Sequence, residues 1–260
     1  MMKIIDTHSH LYGDEFKDDL EDVVQRAREA GVEKILLPNI NEDSIEAMMD
    51  LCRRYPGYFY PMLGLHPTDL TPDYKQVLDR MERMLVAGHP FVAIGEVGLD
   101  YYWDRTYYDE QKEVFDRQVQ WALKFGLPLM IHSRSAQKEL LEVLSPYREK
   151  GLTGVFHSFG GSVDEAMELL AFEGFMLGIN GVLTFKKTQL PDVLKQIPLE
   201  RLVLETDSPY LAPVPFRGKR NESAYIVHTL RKMAEIYDCD PEKVALQAFT
   251  NALEVFPKVR

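Results

Sequence analysis

The sequence predicts an α/β protein built as a (β/α)8 TIM barrel, eight parallel strands each followed by a helix. Three observations lead there. Short apolar runs rich in Val, Ile, Leu and Phe occur eight times. Segments with helical spacing lie between them, and strand alternating with helix gives a parallel sheet. The length of 260 residues suits eight such units in one barrel. Periodicity alone does not show closure, so a doubly wound open sheet is the alternative. No Ser/Gly-rich linker or charge block divides the chain, and residues 1–260 are read as a single domain.

The apolar runs fall at residues 3–6, 34–38, 58–63, 91–94, 127–131, 154–156, 175–177 and 202–205. Most are apolar on successive residues, as strands buried on both faces require. Residues 19–30 place Val23, Val24, Ala27 and Ala30 on one stripe, with Gly31 as a stop. Residues 109–125 carry Phe115, Gln118, Ala122 and Phe125 on one face before Gly126. Residues 162–173 begin with a capping box, Ser162 with Glu165. Residues 221–237 and 241–255 read as helices that pack outside the barrel.

Composition narrows the class. Apolar residues are 45% and charged residues 27%, an ordinary globular balance. The net charge of −11 gives no global attraction for nucleic acid or anionic membrane, so a polyanionic substrate needs a local positive site or metal. Two cysteines, Cys52 and Cys239, cannot make a disulfide framework and suggest a reducing compartment. The first residues lack an apolar signal core, and no apolar run approaches the roughly 20 residues of a spanning helix. The expectation is a cytoplasmic protein.

A lone histidine is most often a packing or surface residue, and His89 and His228 are read that way. The others form a set. His8 and His10 follow the first run, His66 the third, and His132 and His157 end the fifth and sixth. Glu96 follows the fourth run and Asp207 the eighth. In a parallel barrel all these strand ends open on one face, where such enzymes keep their sites. His8, His10, Glu96, His132, His157 and Asp207, from five strands, are therefore candidate metal ligands. Residues i and i+2 of a strand face one side, so both imidazoles of His8-Ser9-His10 can reach one ion. Imidazole with carboxylate suits ions such as Zn, Mn, Fe or Mg rather than a thiolate site. Six ligands exceed what one open ion uses, which favours two ions, and Glu96 with its two oxygens is the candidate bridge.

The pieces Asp6-Thr7-His8-Ser9-His10, Gly64-Leu65-His66-Pro67, Gly95-Glu96-Val97-Gly98-Leu99-Asp100-Tyr101-Tyr102, Ile131-His132-Ser133-Arg134, His157-Ser158-Phe159, Glu205-Thr206-Asp207-Ser208-Pro209-Tyr210-Leu211 and Arg217-Gly218-Lys219-Arg220-Asn221-Glu222 occur in this order. Together they closely resemble the TatD family of metal-dependent deoxyribonucleases, within the amidohydrolase superfamily. The resemblance runs from residue 4 to about residue 255. It implies a distorted TIM barrel in which His8, His10 and Glu96 hold one ion with Asp207 close by. Glu96, His132 and His157 would hold a second. No lysine stands near Glu96 at the end of the fourth strand, which argues against the branches with a carbamylated-lysine bridge. Ser135 and Ser223 depart from the Asp and Pro often found there; neither is an expected ligand.

The function this implies is a metal-dependent deoxyribonuclease, a 3′→5′ exonuclease on single-stranded DNA with RNA as a further substrate. Two divalent ions, Mg, Mn or Zn, would activate a water. Asp207, Glu96 and His66 are the expected catalytic residues, with Asp207 orienting or deprotonating that water and His66 donating to phosphate or to the leaving oxygen. Arg134, His66, Arg217, Arg220 and Asn221 are expected at the substrate, with Lys219 on the same rim. Lys186 and Lys187 read as solvated. Tyr101, Tyr102 and Trp103 either stack a base or serve as a plain apolar anchor of their loop, and Asp100 is expected to bond a metal-side histidine from behind. Two alternatives use the same site: hydrolysis of a small ester, amide or phosphoester, and a nonenzymatic barrel stabilised by metal. The expected partner is a single-stranded nucleic-acid end, with no membrane and no obligate protein partner.

Overall fold

The structure, a computed structural model, describes residues 2–103 and 105–260. Its strands are β1 (Ile4–Asp6), β2 (Val32–Pro38), β3 (Phe59–Leu63), β4 (Ala93–Asp100), β5 (Leu129–Arg134), β6 (Gly154–Phe156), β7 (Phe175–Ile179) and β8 (Leu202–Leu204). Each pairs in parallel with the next in sequence order. The last meets the first. Thr7 N–H donates to Leu204 O (3.1 Å), Asp207 N–H donates to His8 O (2.9 Å), and Ser9 bridges Ser208. The sheet is therefore a nearly closed barrel and not an open doubly wound sheet.

The helices are α1 (Leu20–Glu29), α2 (Ser44–Arg54), α3 (Tyr74–Val86), α4 (Tyr108–Phe125), α5 (Gln137–Leu144), α6 (Val163–Leu170), α7 (Leu190–Leu194), α8 (Ile226–Ile236) and α9 (Pro241–Val255). No helix of the described residues is long and apolar enough to cross a membrane. The capping box forms, with Ser162 Oγ accepting from Glu165 N–H and the Glu165 carboxylate from Ser162 N–H. Sequence reading passed over α2, α3, α5 and α7. It also began the penultimate helix at residue 221. Residues 221–225 instead form an extended entry and a 3-10 turn, because Asn221 and Glu222 are tied to other parts of the fold.

Two packing layers organise the core. The larger lies between barrel and helices. The smaller joins Ile5, Leu36, Met62, Ala93, Met130, Val155, Met176 and Val203, one residue from each strand. Side chains from eight strands can meet only on the barrel axis, so this layer is the barrel floor. Ala252, Val255 and Phe256 at the end of α9, with Val259 beyond it, pack under that floor. The last helix thus does more than lie outside the barrel, as expected of it; its end plugs the N-terminal opening.

Candidate metal centre

The site stands one inward step above the floor. Alternate strand residues face the same side, so the inward position after Met130 is His132, after Val155 His157, and after Val203 Glu205. After Met176 it is Gly178, and any Cβ there would run into the Glu205 carboxylate. Strand β4 breaks its parity. Its register shifts between Ile94 and Val97, both of which face the outer layer although three residues apart. The extra residue lets Glu96 project inward from within the strand. The expected end at residue 94 was six residues short because Gly95 and Gly98 dilute the apolar run. Gly98, at φ +138°, lies so close to the His132 backbone that no side chain fits. Beyond β1, His8 and His10 are held by Ser9 N–H on Leu36 O (3.1 Å) and His10 N–H on Ser208 O (2.8 Å).

The two oxygens of Glu96 face different groups. Oε2 lies 3.1 Å from His8 Nε2 and 3.5 Å from His10 Nε2, and those nitrogens are 3.8 and 3.7 Å from Asp207 Oδ1. Oε1 lies 3.0 Å from His132 Nδ1, 3.5 Å from His66 Nε2 and 3.9 Å from His157 Nε2. Asp207 Oδ2 is 3.8 Å from His157 Nε2. All six expected ligands are thus brought together. His8, Glu96 and His157, or His8, His10 and Asp207, are close enough to share one ion, as are His66, Glu96 and His132.

Partners behind the imidazoles fix which nitrogen faces inward. Tyr12 Oη donates to Pro38 O (2.7 Å), so it accepts from His10 Nδ1–H (2.9 Å) and leaves His10 Nε2 with its lone pair. Asp100 Oδ2 accepts from His132 Nε2–H at 2.9 Å, which leaves Nδ1 toward Glu96. Glu205 Oε1 is 2.9 Å from His157 Nδ1, an ion-pair contact too bent for a hydrogen bond. His66 is the opposite case. Its Nδ1 accepts from Thr68 N–H, so its Nε2 points an N–H, not a lone pair, into the site. That suits a donor to substrate better than a metal ligand, as the sequence suggested for it.

Set by the side chains alone, the charges are unsettled. Burial lowers His8 well below the usual imidazole value and His10 to about 4, with the charge of His157 adding to both. Burial opposes charge on His157 too, but Glu205 and Asp207 outweigh it and raise it to about 10. Burial would raise Glu96, yet His8, His66 and His132 hold it well below its usual range. Burial lifts Asp207 to about 7, with Glu96 adding and His157 opposing. Among the described residues no Lys or Arg pairs with Glu96, Asp207 or Glu205. The His8 and His157 rings stack at 3.5 Å. Burial opposes charge on His132 as well, but Asp100 and Glu96 outweigh it and raise it. Three carboxylates and four inward imidazoles, with no Lys or Arg paired to them among the described residues, make a donor set that fits divalent cations. Such an ion would replace the proton on His157.

The expected substrate residues divide. Arg134 is exposed at the mouth with its guanidinium 4.2 Å above the Tyr102 ring and 4.9 Å from the Trp103 ring. Arg217 is exposed but lies over Phe185 at 3.7 Å. The other two expectations need correction. Arg220 forms a bidentate pair with Asp19 (2.8 and 2.6 Å) and donates to Glu15 O, so its fork is occupied. Asn221 is fully buried and spends both amide hydrogens on Thr206 O and Tyr210 O, shaping the loop that carries Asp207. Asp6 supports the same loop by accepting from Thr206 and Ser223, and burial pushes it to about 7. Sequence reading missed Glu205 as a site residue because it ended an apolar run. Its position two residues after an inward valine was the available signal.

A family model described as TatD related DNase matches residues 5–257. An uncharacterized metal-dependent hydrolase of Bacillus subtilis is 37% identical, covering 97% of this chain and 98% of the relative. A protein of Pectobacterium carotovorum named 3′-5′ ssDNA/RNA exonuclease TatD is 34% identical, covering 97% and 99%. The crystal structure of the TatD homologue YjjV from Escherichia coli superposes with a TM-score of 0.91 at 29% identity, covering 98% of both chains.

Proposed function

Because this chain belongs to the TatD-related DNase family of metal-dependent hydrolases, we propose that it is a single-domain nuclease that removes nucleotides from the 3′ end of single-stranded DNA or RNA. The observation that carries this reading is the division of Glu96. One oxygen faces His8 and His10, the other His132, His66 and, farther off, His157, an arrangement that would let Glu96 serve two ions. Divalent cations held there would supply an activated water and neutralise phosphate oxygens.

The chain's own groups do the rest. Asp207 lies at the rim of both ligand sets, in a left-handed backbone conformation (φ +59°) that aims its carboxylate inward. It orients the attacking water and takes its proton. His66 Nε2–H donates to a phosphate oxygen, and Arg134 binds the neighbouring phosphate. Asp100 and Glu205 hold His132 and His157 in place.

The acidic chain and small number of free cations favour a flexible strand end over a duplex. The test offers a linear single strand, a blunt duplex and a circular single strand with Mg, Mn or Zn. Stepwise shortening of the linear strand alone is expected. Rapid cutting of the circle would overturn the exonuclease reading and favour a nonspecific phosphodiesterase.

A further inference from the structure

The residues after β4 separate into an anchor and a ledge. Tyr101 is 3% exposed and stacks on Tyr108 with ring centroids 4.0 Å apart, so it packs the wall. Tyr102 and Trp103 are 59% and 67% exposed. Exposed aromatic residues taken singly are ordinary, but two adjacent rings held in place beside a site offer a contiguous apolar face. Here Asp100 fixes them. Its Oδ1 accepts from the N–H groups of Tyr102 (2.9 Å) and Trp103 (3.0 Å), while its Oδ2 holds His132 Nε2. One carboxylate therefore joins the ledge to the candidate metal centre.

Arg134, two residues after His132 on β5, lies across both rings. A guanidinium stacked by its face keeps its edge N–H groups for a phosphate. Among the described residues it has no carboxylate partner, in contrast to Arg220. Beside it a cleft of about 480 Å³ runs between the loops after β5 and β6. Lys138, Ser158 and Phe159 line it, and it reaches His157. On the opposite side of the mouth, after β8, Arg220 and Asn221 are committed, and Arg217 lies over the single ring of Phe185.

We propose that Tyr102, Trp103 and Arg134 form a subsite in which an unpaired nucleobase stacks on the aromatic ledge while Arg134 grips the adjoining phosphate, so that a single strand crosses the β4–β6 side of the mouth. This rests on the nuclease reading and adds what that reading leaves open: the part of the substrate that is recognised and the path it takes. Every base has a π-face, so recognition on the ledge is general to unpaired bases rather than sequence-specific. A base inside a duplex is already stacked and cannot use it.

The chain has two tryptophans, and Trp121 is 2% exposed, so a fluorescence change on binding reports Trp103. A cleavage-resistant phosphorothioate oligothymidylate should quench the emission saturably, and the same strand with abasic ends should not. Equal quenching by both, or none by either, overturns the ledge. In turnover, Trp103→Ala should raise KM for oligothymidylate roughly 5- to 100-fold with kcat largely kept, and Trp103→Phe should recover much of the loss. On the abasic-ended strand the deficit should shrink to about two-fold or less. The same deficit on both strands would make Trp103 a packing residue. If the wild-type protein cleaves no oligonucleotide, the nuclease reading falls, while the quenching still decides the ledge.

Discussion

The two ends of this barrel are built on the same eight strands and one step apart, yet they carry opposite chemistry. At the floor every inward residue is apolar, and Phe256 seals the opening beneath. One step up, at the mouth, the inward groups are His132, His157, Glu205 and the bulged Glu96. The floor gains from leaving water and makes no specific demand on its neighbours. The mouth gathers carboxylates and imidazoles whose burial costs free energy unless an ion or substrate compensates. Stability and chemistry are thus divided along the barrel axis, and each half should fail in its own way when damaged.

The largest effect should come from the mouth. Glu96→Ala removes the buried carboxylate whose two oxygens face different groups of imidazoles. Activity should fall by on the order of 10⁴-fold or more, and elemental analysis should show both metal positions depleted. His157→Ala should spare the first set. Full metal content in Glu96→Ala would remove it as the bridge.

The floor should give the reverse result. Phe256 is completely buried under the barrel. Phe256→Ala should lower the unfolding free energy by about 3–5 kcal/mol, measured by urea denaturation. Metal content and kcat should stay close to the parent's at temperatures where the variant is folded. A loss of kcat without loss of stability would break the division.

The mouth was more legible in the sequence than the floor. A metal site needs rare side chains at strand ends, and His8, His10, Glu96, His132, His157 and Asp207 stand out there against apolar runs. All six lie within one cluster in the structure. The plug was not legible, since Val255, Phe256 and Val259 look like any apolar helix end, and only the closed barrel tells that they sit beneath it. The length of β4 was hidden by glycines whose need is set by a neighbouring strand. Arg220 and Asn221 were misplaced because their partners, Asp19 and the carbonyls of Thr206 and Tyr210, are distant in sequence or belong to the backbone. Residue type announces chemistry, whereas tertiary partners decide whether a given group is free to perform it.

The outer wall supplies the smallest and cleanest contrast with the mouth. Glu82 on α3 accepts from Lys124 (2.8 Å) and Arg117 (2.9 Å) on α4. Lys124 first, and Arg117 next, hold its carboxyl down at about 2. Its folded pKa is below the unfolded one, so its contribution is complete above the unfolded value of about 4.3 and is lost as pH falls toward 2. The side chain is 26% exposed, so the pair is screened and worth about 0.5–1 kcal/mol at neutral pH. Glu82→Gln should therefore lower the melting temperature slightly at pH 7, by an amount that fades as the pH drops through the acid range. The kcat/KM at pH 7 should not move, because Glu82 faces the helix layer and not the barrel mouth. If instead the difference persisted at pH 2, packing rather than charge would account for it; a change in kcat/KM would mean that the wall and the mouth are coupled after all.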